Sequence, residues 1–425
     1  MLALLFGSLL VLLLLGVPVF AALGISSLLY IVLAGIPPMI VVQQMFNGID
    51  KFSLLAVPFF ILAGILMNAA RITDELFTFA RSLVGHLRGG LGHVNIVASV
   101  IFSGMSGTAV ADAGGLGTVE IKAMRDQGYP ERFAVGITAA SSTIGPIIPP
   151  SLSMIVYGVV ANASIGQLFA AGIVPGILMA LALHVMVWYL AWRHDYPRER
   201  RAGLRRIATT FLSSLPALVA PVIIIGGIVT GVVTPTEAAA VAVIYALLVG
   251  VFWYRALGAG AIVRALFETF ETTAVVMLMV SASAAFGWIL VRENIAAGFT
   301  QAIVTLAGDP WQAMLLLNLI LLFAGMFMET VAIILILTPI MIPVLDTYGI
   351  DHVQFGVIMV LNLMIGLLTP PIGLLLFVMA RIARMDLMSV TAACAPFMIP
   401  LIIVLVLISL FPALTLTVPG WFFDH

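Results

Sequence analysis

Apolar runs of about 20 residues, the length that crosses a hydrocarbon core, follow one another along most of this chain. In lipid only helices and closed barrels satisfy their own backbone groups. The runs here are unbroken rather than alternating, which excludes a barrel of short strands. Only 9% of the 425 residues are charged and 63% are hydrophobic, whereas an ordinary soluble domain carries roughly a quarter charged residues. A water-soluble enzyme, a nucleic-acid binder or a disordered scaffold could not be built from this composition. The formal net charge of −1 supplies no field for nucleic acid. Cys394 is the only cysteine, so no intrachain disulfide and no cysteine metal cluster can form. The first apolar run lacks a basic leader and a small-residue cleavage site, and reads as a retained span. The expected fold class is an all-α polytopic membrane protein.

Ten spans are expected, at 2–16, 18–35, 54–70, 133–159, 167–192, 211–231, 235–254, 270–291, 353–380 and 393–418. Two further apolar segments, 93–121 and 311–346, are interrupted by Gly, Pro or polar residues and have the wrong length for one crossing. Lys and Arg mark cytoplasmic loops. The strongest cluster, Arg193, Arg198, Arg200, Arg201, Arg205 and Arg206, sets one loop inside. Counting from it puts basic flanks (Arg88, Lys122, Arg125) on one face at both ends of 93–121. Acidic flanks (Asp309, Asp346, Asp351) bracket 311–346 on the opposite face. Both segments are therefore expected to be re-entrant helical hairpins, entering from opposite sides. On this count both termini lie outside, with Lys51 and Arg292 as the dissenting charges.

The halves resemble each other. Phe102-Ser103-Gly104-Met105 matches Phe323-Ala324-Gly325-Met326 at a separation of 221 residues. Gly145, Pro149 and Pro150 match Gly366, Pro370 and Pro371 at the same spacing. An amphipathic arm precedes each hairpin, at 71–88 and 293–307. Five crossings per half is an odd number, so the second half (207–425) is expected to be inverted relative to the first (1–206). Inverted repeats with broken helices at mid-membrane are the architecture of secondary transporters.

The chemistry is expected where backbone is freed. Ser103-Gly104-Met105-Ser106-Gly107-Thr108 would end one hairpin arm with free carbonyls and start the next with free N–H groups. The first end suits a small cation and the second a carboxylate. The run Ser141 to Ser151 carries three prolines, which break its span and liberate hard oxygen ligands. Gly366 to Pro371, preceded by Asn362, repeats the device. Asp112, Glu237 and Glu329 are ionisable residues in or beside apolar segments, which by default draws a functional reading. Glu237 has a structural one: Thr234-Pro235-Thr236-Glu237 spells a capping box with Pro at the first helical position. Ala113–Gly117 is no nucleotide loop, since it lacks the strand and the terminal Lys-Ser/Thr. The six histidines have no metal-ligand spacing. No nucleophile with a paired base is evident, so an enzyme is not expected, and paired hairpins suit a carrier better than a channel.

The segments SGMSGTAVADAGGLG (103–117), AASSTIGPIIPPS (139–151), VTPTEAAAVAV (233–243) and LLTPPIGL (367–374) together resemble the large membrane subunit of TRAP transporters, the tripartite ATP-independent periplasmic carriers. The resemblance spans essentially the whole chain. It implies an elevator-type transporter of the bacterial inner membrane, with both termini periplasmic. It further implies Na⁺-coupled uptake of an organic acid, with Na⁺ as coupling ion and no other cofactor. Its partners would be a small membrane subunit and a periplasmic substrate-binding protein. The chain length fits the form in which the small subunit is a separate polypeptide, with no four-span segment before Met1. By the same resemblance, one Na⁺ would be held by Ser103 and Ser106 with backbone at Gly145, Ile148 and Pro149. The other would be held at Gly325, Gly366, Thr369 and Ile372. Substrate would lie near Thr108, Ser141 and Asn362. Ala324 stands where the first repeat has Ser103, so the two ion sites would not be ligated alike. The alternative is a stand-alone carrier of the same architecture that needs no binding protein.

Overall fold

The computed structural model describes residues 1–70 and 72–423. Among them there is no β-strand, and the chain runs through 21 α-helices. The first half comprises α1 (Leu2–Leu14), α2 (Val19–Leu33), α3 (Met39–Ile49), α4 (Ala56–Ala69), α5 (Ile72–Val84), α6 (Gly90–Ser106), α7 (Ala109–Gly114), α8 (Leu116–Asp126), α9 (Glu131–Ser142), α10 (Leu152–Ala161) and α11 (Ile165–His194). The second comprises α12 (Leu204–Val229), α13 (Pro235–Leu248), α14 (Ala259–Arg292), α15 (Ile295–Leu306), α16 (Pro310–Gly325), α17 (Thr330–Tyr348), α18 (His352–Gly366), α19 (Leu374–Ala383), α20 (Leu387–Leu410) and α21 (Ala413–Phe423). Among the described residues seven helical stretches are long and apolar enough to cross a membrane, and nine shorter helices are also apolar. The protein is a multi-pass membrane protein.

The repeat holds element by element. A shift of 221 residues lays α5 on α15, α6 on α16, α7 and α8 on α17, α9 on α18, α10 on α19, and α11 on α20. Packing is reciprocal in the same sense. Helix α10 packs on α17 while α19 packs on α7, α9 packs on α20 while α18 packs on α11, and α4 packs on α13 while α14 packs on α2. Each first-half element thus meets the counterpart of what its own counterpart meets, as a pseudo-two-fold relation between repeats requires. The correspondence fails in three places, one being α11, which runs unbroken where α20 and α21 are parted at Phe411-Pro412. The 34-residue α14 is continuous, whereas its counterpart is split into α3, a 3-10 turn at Phe52–Leu55 and α4. The second hairpin arm is one helix, α17, but its counterpart breaks at Gly115 between α7 and α8.

Local chemistry explains most boundaries. Gly16, at φ +78°, and Pro18 separate α1 from α2, because a left-handed turn and a missing N–H end the helix. The capping box at Thr234–Glu237 forms in both directions. The arms at 71–88 and 293–307 fold as α5 and α15. Three expectations change. The segment 39–49, which lies outside every expected span, is helical. Helix α14 starts at Ala259 rather than 270. The span expected over 393–418 is two helices, parted at Phe411-Pro412 because the residue before proline resists helical backbone. The dissenting charges are both occupied: Lys51 Nζ donates to the Val159 carbonyl at 2.8 Å, and the Arg292 guanidinium lies 5.5 Å over the Trp288 ring.

The basic loop between α11 and α12 is clasped onto the arm and first hairpin. Glu199 accepts from Arg81 Nε at 2.8 Å and from Gln127 Nε2 at 2.5 Å. Tyr129 donates to the Pro197 carbonyl at 2.7 Å. Partial burial alone would raise the Glu199 carboxyl. The hydrogen bonds from Arg81 and Gln127 and the charges of Arg81 and Arg206 outweigh it and hold the group below the usual glutamate value. A lowered folded-state value means the clasp contributes fully above the unfolded-state value and is lost as pH falls through the folded one. Glu199→Ala is expected to destabilise by about 1 kcal/mol at neutral pH, a figure kept small because the pair is half in solvent. The difference from the parent should vanish in acid. Thermal unfolding of the detergent-solubilised chain across pH checks both points.

Candidate functional site

Both hairpin tips and both broken helices meet. A cavity of about 50 Å³ is lined by Thr108, Ala109 and Val110 from the first tip and by Glu329, Thr330 and Val331 from the second. Pro146 and Leu152 come from the first break, and Met364, Leu367 and Leu374 from around the second. That room takes a few water-sized groups.

Each tip begins its second arm with a side-chain cap, Thr108 at the first and Glu329 at the second. Gly107 turns left-handed at φ +61°, and Thr108 caps α7 by accepting from the Ala111 N–H at 3.3 Å. At the second tip Glu329 caps α17, its Oε2 accepting from the N–H groups of Val331 at 2.9 Å and Ala332 at 3.2 Å. Glu329 is therefore a helix cap as well as a cavity wall. The broken helices clamp these tips through backbone. A Cβ on Gly107 would lie 2.8 Å from the Pro150 carbonyl oxygen. At the second tip the Met326 carbonyl accepts from the N–H groups of Ile372 at 3.2 Å and Gly373 at 3.3 Å. The ends of α16 and α18 cross at two glycines: a Cβ on Gly366 would lie 2.7 Å from the Gly325 Cα.

Gly325, Gly366, Thr369 and Ile372 are thus brought together at the second tip. Thr369 Oγ1 donates to the Ile365 carbonyl at 2.8 Å and keeps its lone pairs for another partner. At the first tip Ser103 is buried, its Oγ donating to the Val100 carbonyl at 2.6 Å. Gly145, Ile148 and Pro149 lie in the turns that join α9 to α10. The side chain of Ser106 lies outside the described residues. The repeat pairs Gly104 with Gly325, yet Gly104 does not cross Gly145 as Gly325 crosses Gly366. It seats Pro221 of α12 instead, whose Cγ would be 2.4 Å from a Cβ at 104.

Of the three expected substrate residues, only Thr108 reaches the cavity. Ser141 points into the first hairpin, where its Oγ donates to Asn95 Oδ1 at 2.5 Å. Asn362 donates to the Asn318 carbonyl at 2.9 Å and to its side-chain oxygen at 2.8 Å. It lies beneath an apolar groove between α16 and α20. The reason is helical phase: Asn362 and Met364 are two residues apart, and only the second faces the tips. Asn95, Ser99, Glu120 and Thr138 belong to no motif. The i, i+4 spacing of Asn95 and Ser99 on a largely apolar arm is the signal that marks them.

Residues 6–414 match the family model described as "Tripartite ATP-independent periplasmic transporter, DctM component". The chain is 49% identical to the sialic acid TRAP transporter large permease protein SiaM of Vibrio cholerae, over 90% of each chain. It is 45% identical to the sialic acid TRAP transporter permease protein SiaT of Haemophilus influenzae, over 97% of this chain and 67% of that longer one. With the C4-dicarboxylate large permease protein DctM of Rhodobacter capsulatus it shares 35% identity over 98% of each. In fold it is similar to the YdaH transporter of Alcanivorax borkumensis, with a TM-score of 0.67 at 13% identity, covering 90% of this chain and 88% of that one. An inverted-repeat helical transporter with paired hairpins is the class these features define. The chain belongs to the DctM family of tripartite ATP-independent periplasmic transporters, as a large membrane permease and not an enzyme.

Proposed function

We propose that this chain imports an organic acid across the bacterial inner membrane by Na⁺ symport, as the large membrane subunit of a three-part carrier. A small membrane subunit braces it, and a periplasmic binding protein delivers the solute. The observation that carries this reading is the convergence of two capped tips and two broken helices on one cavity. Bringing a carboxylate to mid-membrane is costly unless positive charge accompanies it. One Na⁺ sits among Ser103, Ser106 and the backbone of Gly145, Ile148 and Pro149. The other sits among Gly325, Gly366, Thr369 and Ile372. The carboxylate approaches Thr108, at the positive end of α7. Ser141 and Asn362 support the two broken helices from behind. The halves 1–206 and 207–425 are the two inverted units, with both termini periplasmic. The hairpins and broken helices move together as an elevator only when ions and solute are all bound or all absent. The names of SiaM and SiaT make sialic acid the first solute to test.

Proteoliposomes with all three components should accumulate labelled sialic acid or a C4-dicarboxylate under an inward Na⁺ gradient, and fall to background when K⁺ replaces Na⁺. Equal uptake in K⁺ overturns the coupling, and uptake by the chain alone overturns the three-part reading. Thr369→Ala and Ser103→Ala should each raise the Na⁺ concentration for half-maximal uptake about five- to tenfold, the worth of one hydrogen-bond-strength ligand of about 1–1.5 kcal/mol. The amount of inserted protein should not change. Unaltered Na⁺ activation curves in both variants would remove these residues from the sites.

A further inference from the structure

We propose that Asp112 and Glu120 form a proton-binding site inside the first hairpin, with one exchangeable proton shared by the two carboxyl groups. Both side chains are buried to within 1% of their surface. They sit on either side of the Gly115 break, on α7 and α8. Glu120 Oε2 accepts from Asn95 Nδ2 at 2.6 Å. Asn95 Nδ2 also donates to Thr138 Oγ1 at 2.7 Å, and Asn95 Oδ1 is taken by Ser141. Ser99 Oγ donates to Ser141 Oγ at 3.2 Å. Asp112 Oδ2 and Glu120 Oε1 are left without a hydrogen bond from any described residue. Two buried carboxylates, each with an oxygen left unpaired, would be prohibitively costly, and a proton on one of them removes much of that cost.

The second repeat is an internal control. The positions 221 residues after Asn95, Ser99, Asp112, Glu120 and Thr138 are Leu316, Ile320, Ile333, Met341 and Met359. The second hairpin therefore folds without a buried carboxylate at either position, its own polar contacts being the neutral Asn362–Asn318 pair and Thr338 against Met359, so the two acids of the first hairpin are not a requirement of the architecture. Its ligand is a proton rather than a metal cation. Asn95 turns a donor, not an acceptor, toward Glu120, and the hydroxyl and amide oxygens are engaged with one another. Two carboxylate oxygens remain, enough for a proton and too few to enclose a sodium ion.

The surroundings offer no competing charge among the described residues. On α6 the nearest ionisable group, His93, is turned to His184 of α11 at 2.7 Å. Helix α4 carries none. On α5, Arg81 is held by Glu199, while Asp74 and Glu75 lie in the first turn, beside Thr73 and Asn68 that border the break, with Asp74 exposed and Glu75 half-buried. On α8, Lys122 and Asp126 are exposed, and Arg125 pairs with Glu131 of α9. Arg132 of α9 and Arg381 of α19 are exposed, and Arg205 and Arg206 of α12 lie at its outer end.

The site stands whether or not the tips hold sodium, and its test does not depend on transport. The full chain in lipid nanodiscs, in K⁺ buffer, is titrated by infrared difference spectroscopy of the protonated-carboxyl C=O stretch. One band should disappear as pH rises. It should be lost in Glu120→Gln and in Asp112→Asn, each of which retains the shape of the acid. The double variant Asp112→Ile/Glu120→Met, which copies the second hairpin, should insert normally and also lack the band. Absence of any variant-sensitive band, or a band indifferent to pH, overturns the proposal. So does a band displaced by Na⁺ at constant pH, which would make the ligand a metal ion.

Discussion

Gly366→Ala is expected to reduce uptake to background while leaving the chain in the membrane. The added methyl would meet three backbone atoms of Gly325: Cα at 2.7 Å, C at 2.8 Å and O at 3.1 Å. No side chain can rotate out of the way, so α16 and α18 must separate. Overpacking of this kind costs about 1–3 kcal/mol. The larger loss is functional, because the tip hangs on the same crossing. The Met326 carbonyl, one residue beyond Gly325, accepts from Ile372 and Gly373. Moving α16 breaks that clamp and opens the second tip. Uptake in proteoliposomes, set against the amount of inserted protein, checks this. Parental uptake in the variant would show that the crossing is not needed.

The second large effect is expected at Gly107. Its left-handed backbone costs an alanine about 1–2 kcal/mol, and the new Cβ would sit 2.8 Å from the Pro150 carbonyl oxygen. Both penalties fall on the one residue that turns α6 into α7. Gly107→Ala should therefore lower the melting temperature and reduce uptake to background. Gly114→Ala is the matched comparison, since nothing lies within 4 Å of its Cβ position and its backbone is ordinary. It should leave both measurements unchanged. Equal behaviour of the two variants would mean that the first tip tolerates rebuilding.

The positions of the tips and breaks were readable because they depend on local chemistry. Gly107, Thr108, the prolines at 146–150 and 370–371, and the Thr234 cap act within a few residues of themselves. What packs on what was not readable. Gly104 and Gly325 occupy equivalent positions, but one seats a proline of α12 and the other a glycine of α18, and no neighbouring residue announces the difference. Asn362 resembled a cavity residue by its place before the break. Its partner, Asn318, is 44 residues earlier, and only the helix phase turns it away. Helix α3 escaped notice because Gln43, Gln44 and Asn47 dilute its apolar signal. The start of α14 did so because Arg264, Glu268 and Glu271 interrupt the run.

The unbroken length of α14 has a bearing on the surrounding lipid. Its 34 residues make a rod of about 50 Å at 1.5 Å per residue, set against roughly 30 Å of acyl chain. Its apolar part, 270–291, fits that thickness, so the first turns of the rod, carrying Arg264 and Glu268, must project beyond the acyl chains. Its jointed counterpart, α3 and α4, bends at Phe52–Leu55 instead, so the two halves present unlike profiles to the lipid surface.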